Sequence, residues 1–394
     1  YIQTADIDFA DADPAITTWD ASQGWPLIGS YTDYYTNTPF TGTYNGNGHT
    51  VSGLYINRPH VDGVGLFAYT EGATIIDLGL KDVSIAADEL AGALVGRTNL
   101  STAISNCFSS GSISSGSYYG NIGGLVGYLS ASSAMLNWYS SVSVTGTRLG
   151  GTQNLGGLIG GTHSATVTNC YSTGLVTGGI TYVGGLIAYT VATTINNCFW
   201  DTETSGQETS SGGGTGKTTA EMQVASLYLE AGWDLMDESE NGDDDLWGLN
   251  SSENGGYPFL SWQGYTNDAE LALSTDSITS ISTSTLTATC NGTIYTLGTP
   301  APTQYGICWN TTGTPTLSDY YTEEGTPSAG VFSSNLTGLS ANTVYYVRTY
   351  ATNSSGTTYG NEISFFMIEA IAPPAGNGTS SNPYEIANLE NLLW

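Results

Sequence analysis

Residues 123–128 read GGLVGY, and the phrase recurs with small changes as GVGLFAY (63–69), AGALVG (91–96), GGLIGG (156–161) and GGLIAY (184–189). Its central leucines, Leu66, Leu94, Leu125, Leu158 and Leu186, stand 28, 31, 33 and 28 residues apart. Behind each copy comes a second phrase: IIDLGL (75–80), ISNCFSSG (104–111), LNWYSSVSV (136–144), VTNCYSTG (167–174) and INNCFWD (195–201). A unit with two short apolar runs and Gly at its corners has no closed core of its own, so it must stack on its copies as a solenoid. Short runs, β-branched residues and Gly doublets predict strands rather than helices. Each coil then adds about 4.8 Å, the spacing of paired strands. The interior should consist of ladders of like residues, the Leu-Val/Ile pairs on one wall and Cys107, Trp138, Cys170 and Cys198 on another.

Composition agrees. Gly, Ser, Thr, Asn and Tyr abound while good helix formers are scarce, which predicts an all-β protein. Asp and Glu outnumber Lys and Arg by 35 to 6, for a formal charge of −29. Arg58, Lys81, Arg97, Arg148, Lys217 and Arg348 stand singly, so no basic patch exists to neutralise phosphates and nucleic acid is excluded as a partner. Such a surface suits salty water or divalent cations. No apolar run approaches the roughly 18 residues of a membrane helix, so no membrane span is expected.

The phrases GGLVGY, GGLIGG and GGLIAY resemble the GLUG motif of large secreted bacterial surface proteins and adhesins. The flanks FTGTYNGNGHTVSGLYI (40–56) and GTGKTTAEM…AGWDL…NGGYPFL are similar to the entry and exit segments of those domains. The resemblance covers roughly residues 1–263. It implies a right-handed parallel β-solenoid of about 30 residues per coil, an extracellular or cell-surface location, and no catalytic residues.

The solenoid domain is expected over 1–264, closed by a helical and loop cap. SSGGGTGKTT (210–219) lacks the first Gly of a phosphate-binding loop, since position 211 is Ser, and reads as a flexible exit loop. Thr218 and Glu221 form a capping box for a helix running to Gly232, whose Met222, Ala225 and Leu229 face should close the solenoid. From 271 to 368, strands of about eight residues separated by turns replace the long repeat. The stretch LSANTVYYVRTYATNSSGTTYGNEISF (339–365) resembles a fibronectin type III-like domain, with Leu339, Thr343 and Tyr345 in tyrosine-corner positions and Ala341 in place of the usual Pro. The resemblance implies an Ig/fibronectin III-like β-sandwich. Cys290 and Cys308 are left either as a disulfide or as buried thiols, whereas Cys170 and Cys198 read as stacked thiols. Residues 369–378 form a linker, and 379–394 resemble the opening of a further solenoid module, the piece missing ahead of Tyr1.

Three functions compete. In a filament or cell-surface stalk, units meet head to tail through Tyr1, Ile2, Ile7 and Phe9 at one end and Tyr384, Ile386, Leu389, Leu392, Leu393 and Trp394 at the other, so the partner is the chain itself. As an adhesin, it would present Trp19, Trp25, Tyr31, Tyr34 and Tyr35 to surface glycans, although aromatic-rich loops more often pack. A polysaccharide-active solenoid enzyme needs clustered carboxylates that the coils do not repeat, so no catalytic residue is assigned. No cofactor is expected apart from Ca²⁺, for which the acidic loops offer Asp6, Asp8, Asp11 and Asp13, and Asp243, Asp244 and Asp245.

Overall fold

The computed structural model describes residues 1–9, 22–31, 37–147, 152–178, 182–236, 238, 241–242, 244–267, 271–368 and 374–386. The chain divides into two compact units: Tyr1–Gln223 with Gly256–Tyr265, and Val224–Gly255 with the residues from Thr266 onward.

The first unit is a β-solenoid of about five turns, about 31 residues each. Three sheets run its length, every lateral pairing parallel. One coil shows the plan: Tyr119–Gly123 lies in the third sheet, the chain turns at Gly124-Leu125 into Val126–Ser130 of the second, then turns again into Ala134–Gly146 of the first. The first sheet shifts register between Asn45 and His49 and between Leu80 and Val83, but the ladders of the core line hold. Ile75, Ile104, Met135, Val167 and Ile195 stand directly over one another, as do Cys107, Trp138 and Cys170. All five central leucines are buried.

The Gly doublets sit where backbone comes closest to backbone, within a corner at Gly156 and between coils at Gly157. A Cβ on Gly156 would lie 1.9 Å from the Ile159 carbonyl oxygen, and one on Gly157 would lie 2.1 Å from Gly185 O of the next coil. Neither backbone is left-handed, so it is the approach of backbone to backbone that requires glycine here.

The structure adds two ladders that the sequence reading did not single out. Asp77, Asn106, Asn137, Asn169 and Asn197, each just ahead of a core residue, all take the left-handed conformation, with φ between 50° and 59°. Asx side chains tolerate that conformation and bond locally. The amide of Asn137 donates to Asn106 Oδ1 at 3.2 Å, and that of Asn106 to Asp77 Oδ1 at 3.0 Å. Next to the core line, Phe108, Tyr139 and Tyr171 stack outward at 5.1 Å centroid separations, 4° and 6° from parallel. They are buried because the 256–263 segment crosses them. Tyr171 Oη donates to Pro258 O at 2.5 Å, Tyr139 Oη donates to Gln263 Oε1 at 3.1 Å, and Trp262 Nε1 donates to Asn106 O at 3.0 Å.

The Gly-rich stretch read as a flexible exit loop is instead an ordered cap. Ser210 bridges Gly184 in antiparallel fashion, Gly212 N donates to Ile187 O at 2.8 Å, and Thr215–Lys217 pairs in parallel with Phe199–Asp201 as a last rung. Side chains at 212 and 214 would strike Ile187 and Leu186, at 2.4 and 2.6 Å, so three consecutive glycines let bare backbone lie on the end of the core. The single capping helix is also corrected. The Thr218–Glu221 capping box forms, but Val224 is extended (φ −118°, ψ 127°) and separates Thr219–Met222 from Ala225–Glu230, as its β-branched side chain favours. Met222 is buried in the first unit, whereas Ala225 and Leu229 are buried in the second. Val224–Gly255, within the span expected for the solenoid domain, thus joins the second unit. There Trp233 packs on Tyr228 and Trp247, and the Asn267 amide donates to Met236 O at 3.1 Å.

The second unit also contains two antiparallel sheets. One orders Leu271–Ser282, Thr287–Leu297 and Gly330–Leu336, and the other orders Tyr320–Tyr321, Gln304–Asn310, Thr343–Asn353 and Gly356–Tyr359, with Ile363–Met367 also on the long strand. Ala288, Cys290 and Leu336 of the first share a buried cluster with Ile307, Val347 and Met367 of the second. Tyr345 Oη accepts the Ser340 N–H at 2.8 Å, where the tyrosine corner was expected. All five cysteines are free and buried. Burial pushes Cys290 and Cys308 up to about 12, which keeps them as thiols at neutral pH.

Candidate functional site: a tyrosine and arginine furrow

Three residues beyond each central leucine stands a position outside the solenoid's hydrophobic core cluster. Register aligns these positions, Tyr69, Arg97, Tyr128, Gly161 and Tyr189, on the second sheet. Across the Gly-Leu corner, the third sheet presents Leu90, Asn121, Asn154 and Tyr182 in the same way. The two lines flank a furrow with a depression of about 310 Å³ lined by Leu90, Arg97, Asn121, Tyr128, Asn154 and Tyr189. Beside it, a depression of about 300 Å³ is lined by Tyr31, Asn37, Pro39, Tyr69, Glu71, Arg97 and Asn99. Arg97 belongs to both.

The guanidinium of Arg97 lies 5.0 Å from the Tyr31 ring centroid and 5.3 Å from that of Tyr128, and its Nη1 donates to Tyr31 Oη at 2.9 Å. Stacking of this kind holds a cation against aromatic faces and removes part of its water. Among the described residues, the ion pairs are His49–Asp6 and Lys217–Glu221, so no described carboxylate lies within 4 Å of Arg97. The nearby Glu71 is otherwise engaged: its Oε1 accepts from Tyr69 Oη at 2.8 Å and from Asn99 Nδ2 at 3.1 Å. Burial, reinforced by the bond to Glu71, pushes the Tyr69 phenol up to about 12. Burial also raises Tyr128, against the opposing effect of Arg97. Both phenols therefore remain neutral. Asn154 Nδ2 donates to Asn121 Oδ1 at 2.7 Å, and Tyr182 rests against Tyr189 at 5.3 Å. The furrow thus presents neutral phenols, amides and one permanent cation.

The residues singled out from sequence lie elsewhere, with one exception. Of the five candidate aromatics, Tyr31 reaches the furrow, and Trp25 packs against the core with Phe9 at 5.2 Å. Trp19, Tyr34 and Tyr35 lie outside the described residues. In the self-association set, Tyr1, Ile2 and Ile7 are exposed, as are Tyr384 and Ile386, whereas Phe9 is half-buried. Leu389, Leu392, Leu393 and Trp394 lie outside the described residues. Among the acidic candidates, Asp6 accepts the Thr50 N–H at 2.8 Å and faces His49 Nδ1 at 3.3 Å. The Thr50 amide, more than His49, holds its carboxyl below the usual range. Asp8 pairs through its backbone with Ser52. Asp244 and Asp245 turn their amides toward the Asp234 carboxylate at 3.1 and 3.2 Å. Asp11, Asp13 and Asp243 lie outside the described residues, among which no group of three or more His, Cys, Asp or Glu side chains is placed to hold a metal ion. No helix among the described residues is long and apolar enough to cross a membrane.

Arg97, Tyr128 and Tyr189 were not recognised from sequence. The signal was present, since three of the five repeat phrases end in Tyr at the position where Arg97 stands.

No solved structure matches the chain. Over 101 residues, 25% of its length, the chain is 35% identical to halomucin of Haloquadratum walsbyi, and it spans about 1% of that protein. Residues 151–177, which hold GGLIGG and VTNCYSTG, match the GLUG motif.

Proposed function

We propose that this chain is a structural, non-enzymatic segment of an extracellular surface protein, with the solenoid as a spacer of fixed length. The observation that carries the reading is the in-register stacking of apolar side chains over five coils, from Ile75 through Ile104, Met135 and Val167 to Ile195, which gives length without a separate core for each repeat. The GLUG match and the similarity to halomucin support an external location. A charge of −29 keeps such a surface solvated. The solenoid takes the right-handed path that parallel crossovers favour. The two antiparallel sheets, their shared core and the Tyr345–Ser340 bond support an Ig/fibronectin type III-like sandwich.

Units join head to tail. The outer edge of the first sheet carries Ile2 and Ile7, 68% and 43% exposed, and the segment bearing Tyr384 and Ile386 supplies apolar side chains of the same kind. A contact between unlike ends propagates rather than closes, so it builds fibres. Filaments are expected in electron micrographs of the full chain, and none after removal of residues 374–394. Isolated particles from the full chain at every concentration would contradict the filament, and filaments of unchanged length from the truncated chain would rule out donation of that segment. A second reading, contact with surface glycans, has the Arg97 furrow in its favour.

A further inference from the structure

We propose that the furrow between the second and third sheets binds an acidic carbohydrate, with Arg97 pairing its carboxylate or sulfate group. The inference rests on the glycan reading and narrows it to a chemical class and a set of residues.

The furrow is periodic. Asn121 and Asn154 repeat from one coil to the next, and beside them Tyr128 and Tyr189 recur on every second coil, with Gly161 on the rung between. The step is the strand spacing of about 4.8 Å, comparable to one pyranose unit of an extended polysaccharide. A periodic polymer can therefore present equivalent groups to the amides of successive rungs and to the tyrosines of alternate ones. Tyrosine rings accept the C–H face of a sugar, and amides such as those of Asn121 and Asn154 serve hydroxyls as donors and acceptors. A side chain at position 161 would meet Asn121 Oδ1 at 2.3 Å, so the glycine also leaves room for that amide in the furrow.

The acidic character follows from Arg97. Its guanidinium is held between Tyr31 and Tyr128, one nitrogen is committed to Tyr31 Oη, and Nε is buried without a partner. A fork fixed in this way loses little freedom when it pairs with an anion. Glu71, the carboxylate lining the neighbouring depression that Arg97 also borders, is occupied by Tyr69 and Asn99. A neutral sugar would satisfy the amides and rings but leave the cation without a counterpart. The charge of −29 opposes a polyanion at long range. At 1 M salt, however, the screening length shrinks to about 3 Å, while a direct charge-assisted hydrogen bond acts within that distance.

The test is calorimetric titration of the full chain, in buffer with 1 M NaCl, with four probes: hexagalacturonate, a sulfated galactan hexasaccharide, a neutral galactan hexasaccharide and hexaglutamate. At least one acidic saccharide is expected to bind ten-fold or more tightly than the neutral one, and the tighter of the two identifies carboxylate or sulfate as the partner. Arg97→Gln should abolish that preference, leaving affinity at the neutral level. Asn154→Ala, on the opposite wall, should weaken acidic and neutral saccharides alike by three-fold or more. Circular dichroism confirms folding of both variants. Equal affinity for acidic and neutral saccharides would overturn the acidic preference while the glycan reading survives. Absence of binding by all three saccharides would overturn both. Hexaglutamate binding as tightly as hexagalacturonate would overturn carbohydrate recognition in favour of an acidic peptide.

Discussion

Gly156→Ala is expected to destabilise the solenoid by more than about 4 kcal/mol, in the range reserved for single changes that the structure cannot absorb. The added methyl would stand 1.9 Å from the Ile159 carbonyl oxygen and 3.0 Å from Ala188 N of the next coil. Both obstacles are backbone, the nearer one in the same coil, so relief requires reshaping the corner between Gly156 and Ile159 and shifting the next rung. Gly116 provides the control, because a Cβ there meets only Thr147 Oγ1 at 3.7 Å and its backbone is not left-handed. Gly116→Ala should stay within about 0.5 kcal/mol of the parent. Urea unfolding followed by circular dichroism measures both. Comparable losses for the two would refute the idea that the doublets mark the tightest approach of backbone to backbone.

Trp138→Ala should cost about 3–5 kcal/mol, the range for removing a buried aromatic from a packed core. The indole is fully buried, and its Nε1 donates to Ile104 O at 3.0 Å, a carbonyl that would lose this donor. A more telling variant is Trp138→Cys, because the adjacent rungs carry Cys107 and Cys170 at the same register. If identity along the ladder sufficed, cysteine would be accepted there. Volume decides instead, and the cysteine variant should lose nearly as much as alanine. A cost below about 1 kcal/mol for Trp138→Cys would show that the coil collapses around the smaller side chain.

The solenoid was legible in the sequence because stacking forces the same residue type to recur wherever coils meet. Leu94, Leu125 and Leu158 identified themselves by period, as did the cysteines. The amide ladder was equally visible in ISNC, LNW, VTNC and INNC, but a left-handed φ is a backbone property that periodicity of apolar residues does not report. The cap was misread for a related reason. SSGGGTG carries no side chains that signal order, yet the absence of side chains at Gly212 and Gly214 is what lets it lie against Ile187 and Leu186. The helix extended too far in the reading because the capping box at Thr218 fixes only its start.

The furrow was hidden differently. Arg97, counted as one isolated cation among six, acquires meaning only when register sets it beside Tyr128 and the fold brings Tyr31 to it from 66 positions away. The candidate aromatics of the first 35 residues were chosen by local density, whereas the structure selects aromatics by rung. Trp25 illustrates the cost of that choice, since it packs against the core.

Both the spacer and the furrow depend on coils stacked in parallel and in register. Ile76, Ser105, Leu136, Thr168 and Asn196 form one ladder. Spin labels on paired cysteines introduced at Asn196 and at each of the other four test that arrangement, since the native thiols are buried. Dipolar separations between backbone positions should rise in equal steps of about 4.8 Å per coil, from about 5 Å for Thr168 to about 19 Å for Ile76. Separations that fail to increase with the number of intervening coils, or that exceed 25 Å for the nearest pairs, would contradict the stacked solenoid and the furrow with it.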